Sequence, residues 1–153
     1  MNIRVNYTAA GASLAQALRG VNAVLEKSSL GSQLIDLIFL RVSQINGCAY
    51  CVDKHARDLL VSGETFQRIN SLLTWREVNF YTPRERAALA LAESVTKLAT
   101  HRSQDEVQST LDEHFNEQET VDLVYAIALM NAWNRIGISF HIPVQEQAVQ
   151  PSI

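Results

Sequence analysis

The stretch Asn46-Gly-Cys-Ala-Tyr-Cys-Val-Asp-Lys-His55 contains both cysteines of the chain and one of its four histidines. Cys48, Cys51 and His55 are spaced by three and then four residues, which stacks side chains on one face of an α-helix. Asn46-Gly47 suits a left-handed cap closing a preceding helix, and Ser62-Gly63 suits another. A helix is therefore predicted from about Cys48 to Val61. Cys48 would lie in its first turn, where free N–H groups and the helix dipole favour an anion. A free thiol with a pKa of about 8.5 is only about 3% thiolate at pH 7. A helix N-terminus or a nearby His can bring that pKa to about 7 or below. Cys51 faces His55 at i+4, near enough to exchange a proton directly or through one water.

Several chemistries use such residues. Haem attachment needs His directly after the second Cys, and Val52 stands there. A structural zinc site takes four ligands, commonly from two pairs, and this chain has one pair. A thioredoxin-like site sits in a βαβ context, of which the sequence shows no pattern. A buried structural pair, with cysteine as a small hydrophobe, stays open. Redox chemistry is the reading that uses all three residues. One thiolate would attack the O–O bond of a peroxide and become a sulfenic acid. The other would attack that sulfur, release water and close a disulfide. Helical i, i+3 Cβ atoms lie about 5–6 Å apart, whereas a relaxed disulfide wants about 3.8 Å. Closing the bridge must distort the first turn, and a strained bridge is the easier to reduce.

The elements that must position these groups read as helices. With 153 residues the chain is long enough to bury a core, and one domain is expected over 1–153. Hydrophobic residues at 47% and charged residues at 19% are ordinary globular usage. A net charge of -3, without a Lys/Arg cluster, predicts neither a nucleic-acid nor an anionic-lipid partner. No apolar run approaches the ~20 residues of a membrane span, and the N-terminus lacks an apolar signal core, so a cytoplasmic protein is expected. Prolines and glycines are sparse and mark the breaks.

Leu14, Leu18, Val21 and Leu25 form one apolar stripe. The run from Ser32 to Ile45 is apolar nearly all round, as in a buried helix. Glu64 to Leu73 suggests a short helix before a looser stretch at Trp75. Thr82-Pro83-Arg84-Glu85, Ser103-Gln104-Asp105-Glu106 and Asn116-Glu117-Gln118-Glu119 are three N-terminal capping signatures. The helix opened by Asn116 is so apolar that it is either the centre of the core or part of a subunit interface. No period-two alternation is sustained, so an all-α bundle of six or seven helices is expected.

The residues "LIFLRVSQINGCAYCVDKHARDLL", with "WREVNFYTPRERAALALAESVT" and "NAWNRIGISF", resemble the alkylhydroperoxidase D-like branch of the carboxymuconolactone decarboxylase family. The resemblance covers about residues 14 to 142, and CxxCxxxH is its most specific part. It implies an all-helical fold, a homo-oligomer (trimer or hexamer), and peroxide reduction by a dithiol without metal or cofactor. Carried onto this chain, Cys51 takes the sulfenic acid, Cys48 is its partner and His55 is a proton relay. The family carboxylate is a Glu twelve positions before the first Cys, and Asp36 stands there, one methylene shorter. Its relay through His and water then has a longer gap to span. The position before the second Cys, His in some members, is Tyr50 here, which cannot act as a base near pH 7.

Asp36 is also a lone acid among Leu34, Ile35, Leu37 and Ile38, so it needs either a partner or a wet stripe. Ser43, Gln44 and Asn46 are candidates to position the site. The expected substrates are a small organic peroxide or hydrogen peroxide, with a small or lipoyl-type dithiol as reductant. A redox-sensing or stress-response protein on the same fold, and a decarboxylase, are the alternatives. The decarboxylase chemistry has no need of two thiols. Solvent exposure is expected of His101 and His114, a surface pair of Asp53 with Arg57, and a structural ion pair of Arg41.

Overall fold

The computed structural model describes residues 2–98 and 105–146. They form eight α-helices and one 3-10 turn, with no strand among the described residues. The helices are α1 (Tyr7–Ala10), α2 (Ala12–Leu25), α3 (Ser32–Asn46), α4 (Ala49–Val61), α5 (Phe66–Ser71), α6 (Pro83–Thr96), α7 (Asp105–Asp112) and α8 (Glu117–Phe140). The 3-10 turn, Leu72–Glu77, follows α5 directly. The all-α expectation holds. The helix beyond the expected seven is α1, a single turn without an apolar stripe, started by the Asn6 side chain accepting from the Ala9 N–H.

Local chemistry accounts for most boundaries. Thr82 and Glu85 cap α6 reciprocally, with Pro83 at the first helical position, where its missing N–H costs nothing. Asn116 and Glu119 do the same for α8. The third signature, at Ser103, lies outside the described residues, as does His101. Two glycines depart from the expected breaks: Gly20 and Gly137 lie inside α2 and α8.

The middle layer is α3, packed against α4, α6 and α8. Its Leu37, Ile38, Leu40 and Val42 are fully buried, each such side chain contributing about 1.5–3 kcal/mol relative to exposure. Arg41 is buried with them and donates from Nε (2.9 Å) and Nη2 (2.6 Å) to Glu93 of α6, so the expected ion pair is present. Glu93 also accepts from Trp75 Nε1 at 2.9 Å and from Arg76. Burial pushes the Glu93 carboxyl up, but the bonds from Trp75, Arg41 and Arg76 outweigh it and hold the group below the usual range.

Two apolar expectations need revision. Leu14, at the start of the α2 stripe, is 74% exposed, whereas Leu25 at its end is buried. α8 is two-faced: Leu123, Ala126, Ile127 and Met130 enter the core, while Val121, Val124 and Tyr125 stay exposed. Among the described residues no helix is long and apolar enough to cross a membrane. His114, expected in solvent, is half-buried, and its carbonyl accepts from Arg84.

Candidate active site

The site is built on the turn between α3 and α4. Gly47 takes the left-handed conformation (φ 72°, ψ 30°) that closes α3, a backbone state most side chains resist. The next N–H, that of Cys48, returns to the Ser43 carbonyl at 3.1 Å. Cys48 is thereby the cap of α4 in extended conformation, and the helix proper begins at Ala49, one residue later than expected. Cys48 and Cys51 are paired as a disulfide with Cα atoms 5.4 Å apart, within the range a disulfide spans.

One turn on, His55 is 5% exposed. Its Nδ1 lies 3.0 Å from Asp36 Oδ1 on α3 and 3.6 Å from Asp58 Oδ2 on α4. Phe39 meets the imidazole edge-on, with centroids 5.1 Å apart. An ionised Asp36 accepts the Nδ1 proton and leaves Nε2 as the basic nitrogen. Asp36 is thus partnered, with its side chain 23% exposed, and the choice between solvent and partner is resolved in favour of His55. Asp58 in turn accepts from Lys54 at 2.5 Å. Asp36, His55 and Asp58 bring ligand atoms within 4.8 Å of one another, so these three could hold a cation, although Lys54 already occupies Asp58.

The sulfurs are buried but not sealed. Cys51 and His55 line one cavity of about 270 Å³, walled by Tyr7, Tyr50, Met130 and Trp133. Arg19 and Lys54 bring it two cations, and among the described residues no carboxylate lines it. The Tyr7 phenol is pushed up by burial and by Tyr50, against the lowering pull of Arg19, so it is a protonated donor at neutral pH. A second cavity, of about 240 Å³, holds the opposite end of the relay: His55, Asp36 and Asp58 line it with Glu26, the residue that closes α2. Asn22 and Lys54 border both cavities. Asn22 Oδ1 is buried with no hydrogen-bond donor among the described residues. Cys48 lines a third space, a cleft of about 230 Å³, with Gly137 and His141.

The supporting residues divide. Asn46 Nδ2 donates to Asn131 Oδ1 (3.0 Å) and Asn134 Oδ1 (2.9 Å) on α8. Asn134, fully buried, donates in turn to Ser43 Oγ at 3.0 Å. Ser43 and Asn46 thus tie the cysteine turn to α8. Gln44 instead accepts from Arg41 at 3.3 Å. Tyr50 lines the spaces beside both sulfurs. Asp53 and Arg57 make the surface pair expected of them, at 2.6 Å. Sequence reasoning missed Asp58, Asn134 and Gly137. A Cβ at Gly137 would stand 3.1 Å from Cys48 Sγ and 3.7 Å from Cys51 Sγ, so glycine lets α8 cross close over the sulfurs. The available signal was a glycine and an asparagine inside an apolar helix, where each has a propensity cost.

Comparison with known proteins places the sequence and the fold in a family. The family model described as "Carboxymuconolactone decarboxylase family" matches residues 10–94. The uncharacterized protein YdfG of Bacillus subtilis (strain 168) is 40% identical over 139 residues, 91% of this chain and 95% of the relative.

The chain belongs to the carboxymuconolactone decarboxylase family.

Within that family it falls in the alkylhydroperoxidase D-like branch. A solved protein of unknown function from Agrobacterium tumefaciens, named as a candidate antioxidant defence protein AhpD, superposes with a TM-score of 0.89 at 38% identity, over 94% of this chain and 100% of its own. The debrominase Bmp8 shares the fold alone, with a TM-score of 0.81 at 20% identity over 90% of this chain and 74% of its own. Membership of the carboxymuconolactone decarboxylase family supports a peroxidase-related or decarboxylase-type activity.

Proposed function

We propose that this protein is a thiol peroxidase that reduces small organic peroxides or hydrogen peroxide through Cys51 and Cys48. The observation that carries the reading is that Cys51 shares a cavity with His55, whose other side is held by Asp36 at 3.0 Å. A thiol, a base and an orienting carboxylate are the parts of an activated nucleophile.

The cycle balances as follows. His55 Nε2 takes the Cys51 proton, directly or through one water, and the imidazolium is stabilised by Asp36. The Cys51 thiolate attacks the outer oxygen of R–O–O–H. The O–O bond breaks, its electron pair leaves with the alkoxide, and the proton on His55 completes the alcohol. Cys51 is now a sulfenic acid, two electrons oxidised. Cys48 Sγ attacks Cys51 Sγ, and the hydroxyl leaves with the Cys48 proton as water. A small or lipoyl-type dithiol returns two electrons to the disulfide. Asn22 Oδ1, short of a donor, suits the O–H of the bound hydroperoxide.

The protein acts in the cytoplasm, where such dithiols are kept reduced. It assembles as a homo-oligomer, a trimer or hexamer, and exposed Val121, Val124 and Tyr125 on α8 suit a second copy of the chain.

Rapid mixing of the reduced protein with an organic hydroperoxide tests the reading. Two thiols per chain should be lost, with turnover once a dithiol is supplied. Cys51→Ser should abolish the reaction, and Cys48→Ser should stop it at the sulfenic acid. A single oxidation without turnover would favour a redox sensor, and an unchanged rate in Cys51→Ser would overturn the assignment.

A further inference from the structure

The two sulfurs face different spaces. Cys51 lines the cavity shared with His55 and not the cleft; Cys48 lines the cleft and not that cavity. Tyr50 and Ile142 border both and form the partition. The cleft carries an imidazole of its own. His141 lines it and holds a left-handed backbone conformation (φ 53°, ψ 59°) at the end of α8, the one positive φ of a non-glycine residue among the described residues. Such a conformation persists where surroundings over-determine it, often at a working site. Here the His141 N–H returns to Ile138 O at 3.2 Å and the Ile142 N–H to Gly137 O at 3.0 Å. That return brings His141 to the cleft that Cys48 and Gly137 also line.

We propose that the cleft is the reductant's site, and that His141 is the proton acceptor for the incoming thiol. The peroxide meets Cys51 on one side of the disulfide and the dithiol meets Cys48 on the other. The inference rests on the pair's redox cycling proposed above, and concerns only its reductive half.

The chemistry is thiol–disulfide exchange, in which the nucleophile approaches along the S–S axis. An attack on Cys48 Sγ therefore arrives from the side away from Cys51. The dithiol's first S–H gives its proton to His141, and its thiolate bonds to Cys48 Sγ. The Cys48–Cys51 bond breaks and Cys51 leaves as a thiolate beside His55, the group equipped to protonate or stabilise it. The dithiol's second thiol then gives up its proton, which reaches the Cys51 thiolate through His55 or solvent, and attacks its own first sulfur. That closes the reductant's disulfide and expels Cys48 as a thiolate, which recovers the proton from His141. Two electrons have passed from dithiol to protein, and both reagents can be replaced without sharing a pocket.

The test follows one half-reaction at a time. The disulfide form is mixed with dithiothreitol or dihydrolipoamide, and free protein thiols are trapped against time. His141→Asn keeps a residue that tolerates the left-handed conformation and removes the base. It should slow reduction at least about tenfold, with added imidazole restoring part of the rate, while oxidation of the reduced protein by peroxide stays within about twofold. Ile138→Trp is the second variant. Ile138 is 44% exposed and lines the cleft, so a bulky ring should fill the cleft without disturbing the core. It should slow dihydrolipoamide more than dithiothreitol. Reduction at the wild-type rate in both variants, or equal slowing of both half-reactions, would overturn the proposal. A wild-type protein whose disulfide is reduced with this His141 dependence but which never consumes peroxide would keep the reductant site and remove the peroxidase reading instead.

Discussion

Asp58 presents Oδ2 to His55 Nδ1 at 3.6 Å, one helical turn beyond it on α4. His55 Nδ1 therefore has a second carboxylate behind Asp36, on its own helix. Asp36→Asn should lower the rate of Cys51 oxidation about tenfold rather than abolish it, because Asp58 can still orient the ring. The double variant Asp36→Asn/Asp58→Asn should approach His55→Ala, about a hundredfold down. Rapid mixing with peroxide, measured on the wild type and these three variants, checks this; a double variant no slower than Asp36→Asn would show that Asp58 takes no part.

Asn22→Leu removes the buried acceptor that borders the peroxide cavity. Catalytic efficiency for a hydroperoxide should fall about fivefold to tenfold, the worth of one hydrogen bond of about 1–1.5 kcal/mol. Reduction of the disulfide by dithiol should not change. Stopped-flow traces of the two half-reactions separate the outcomes.

Gly137→Ala places a methyl group 3.1 Å from Cys48 Sγ. Alanine gains about 1 kcal/mol in helix propensity, yet Cys48 is 1% exposed and pinned by the bridge, so overpacking of about 1–3 kcal/mol should prevail. The Tm of the oxidised form should fall, and fall further than that of the reduced form, whose freed sulfur can turn aside. Thermal melts with and without reductant give the comparison.

Glu93 makes stability sensitive to acid. Its folded carboxyl is held below the ordinary value of 4.5, so its contribution is fully present above that value. The contribution drains away as pH falls from there through the folded value. Glu93→Gln should flatten that part of the stability–pH curve. At neutral pH it should also cost about 3–5 kcal/mol, since buried Arg41 loses its counter-charge. Urea denaturation at neutral and acidic pH reads both effects.

Much of this was legible in the sequence because it is local. The boxes at Thr82/Glu85 and Asn116/Glu119 and the glycine cap at Gly47 are satisfied within a few residues, so short windows suffice to find them. The Cys48–Cys51–His55 ridge follows from helical spacing, and Asp36 from its isolation in an apolar run. What the sequence did not disclose depends on how distant helices cross. Asn134 reaches Ser43 and Asn46 only because α8 lies against the end of α3. Gly137 matters only where α8 passes over the sulfurs, and nothing in "NRIGISF" names the atoms it will meet. Gln44 misled for the same reason: it neighbours the turn in sequence but points along α3 to Arg41.

The tight turn at Gly47 has an evolutionary consequence. The atoms proposed to react with peroxide, and the carboxylates behind them, all lie on the hairpin that this turn joins, whereas Arg19, Asn22, Met130 and Trp133 reach the cavity from α2 and α8. Substitutions in those outer helices can exchange one substrate for another while the inherited chemistry stays intact.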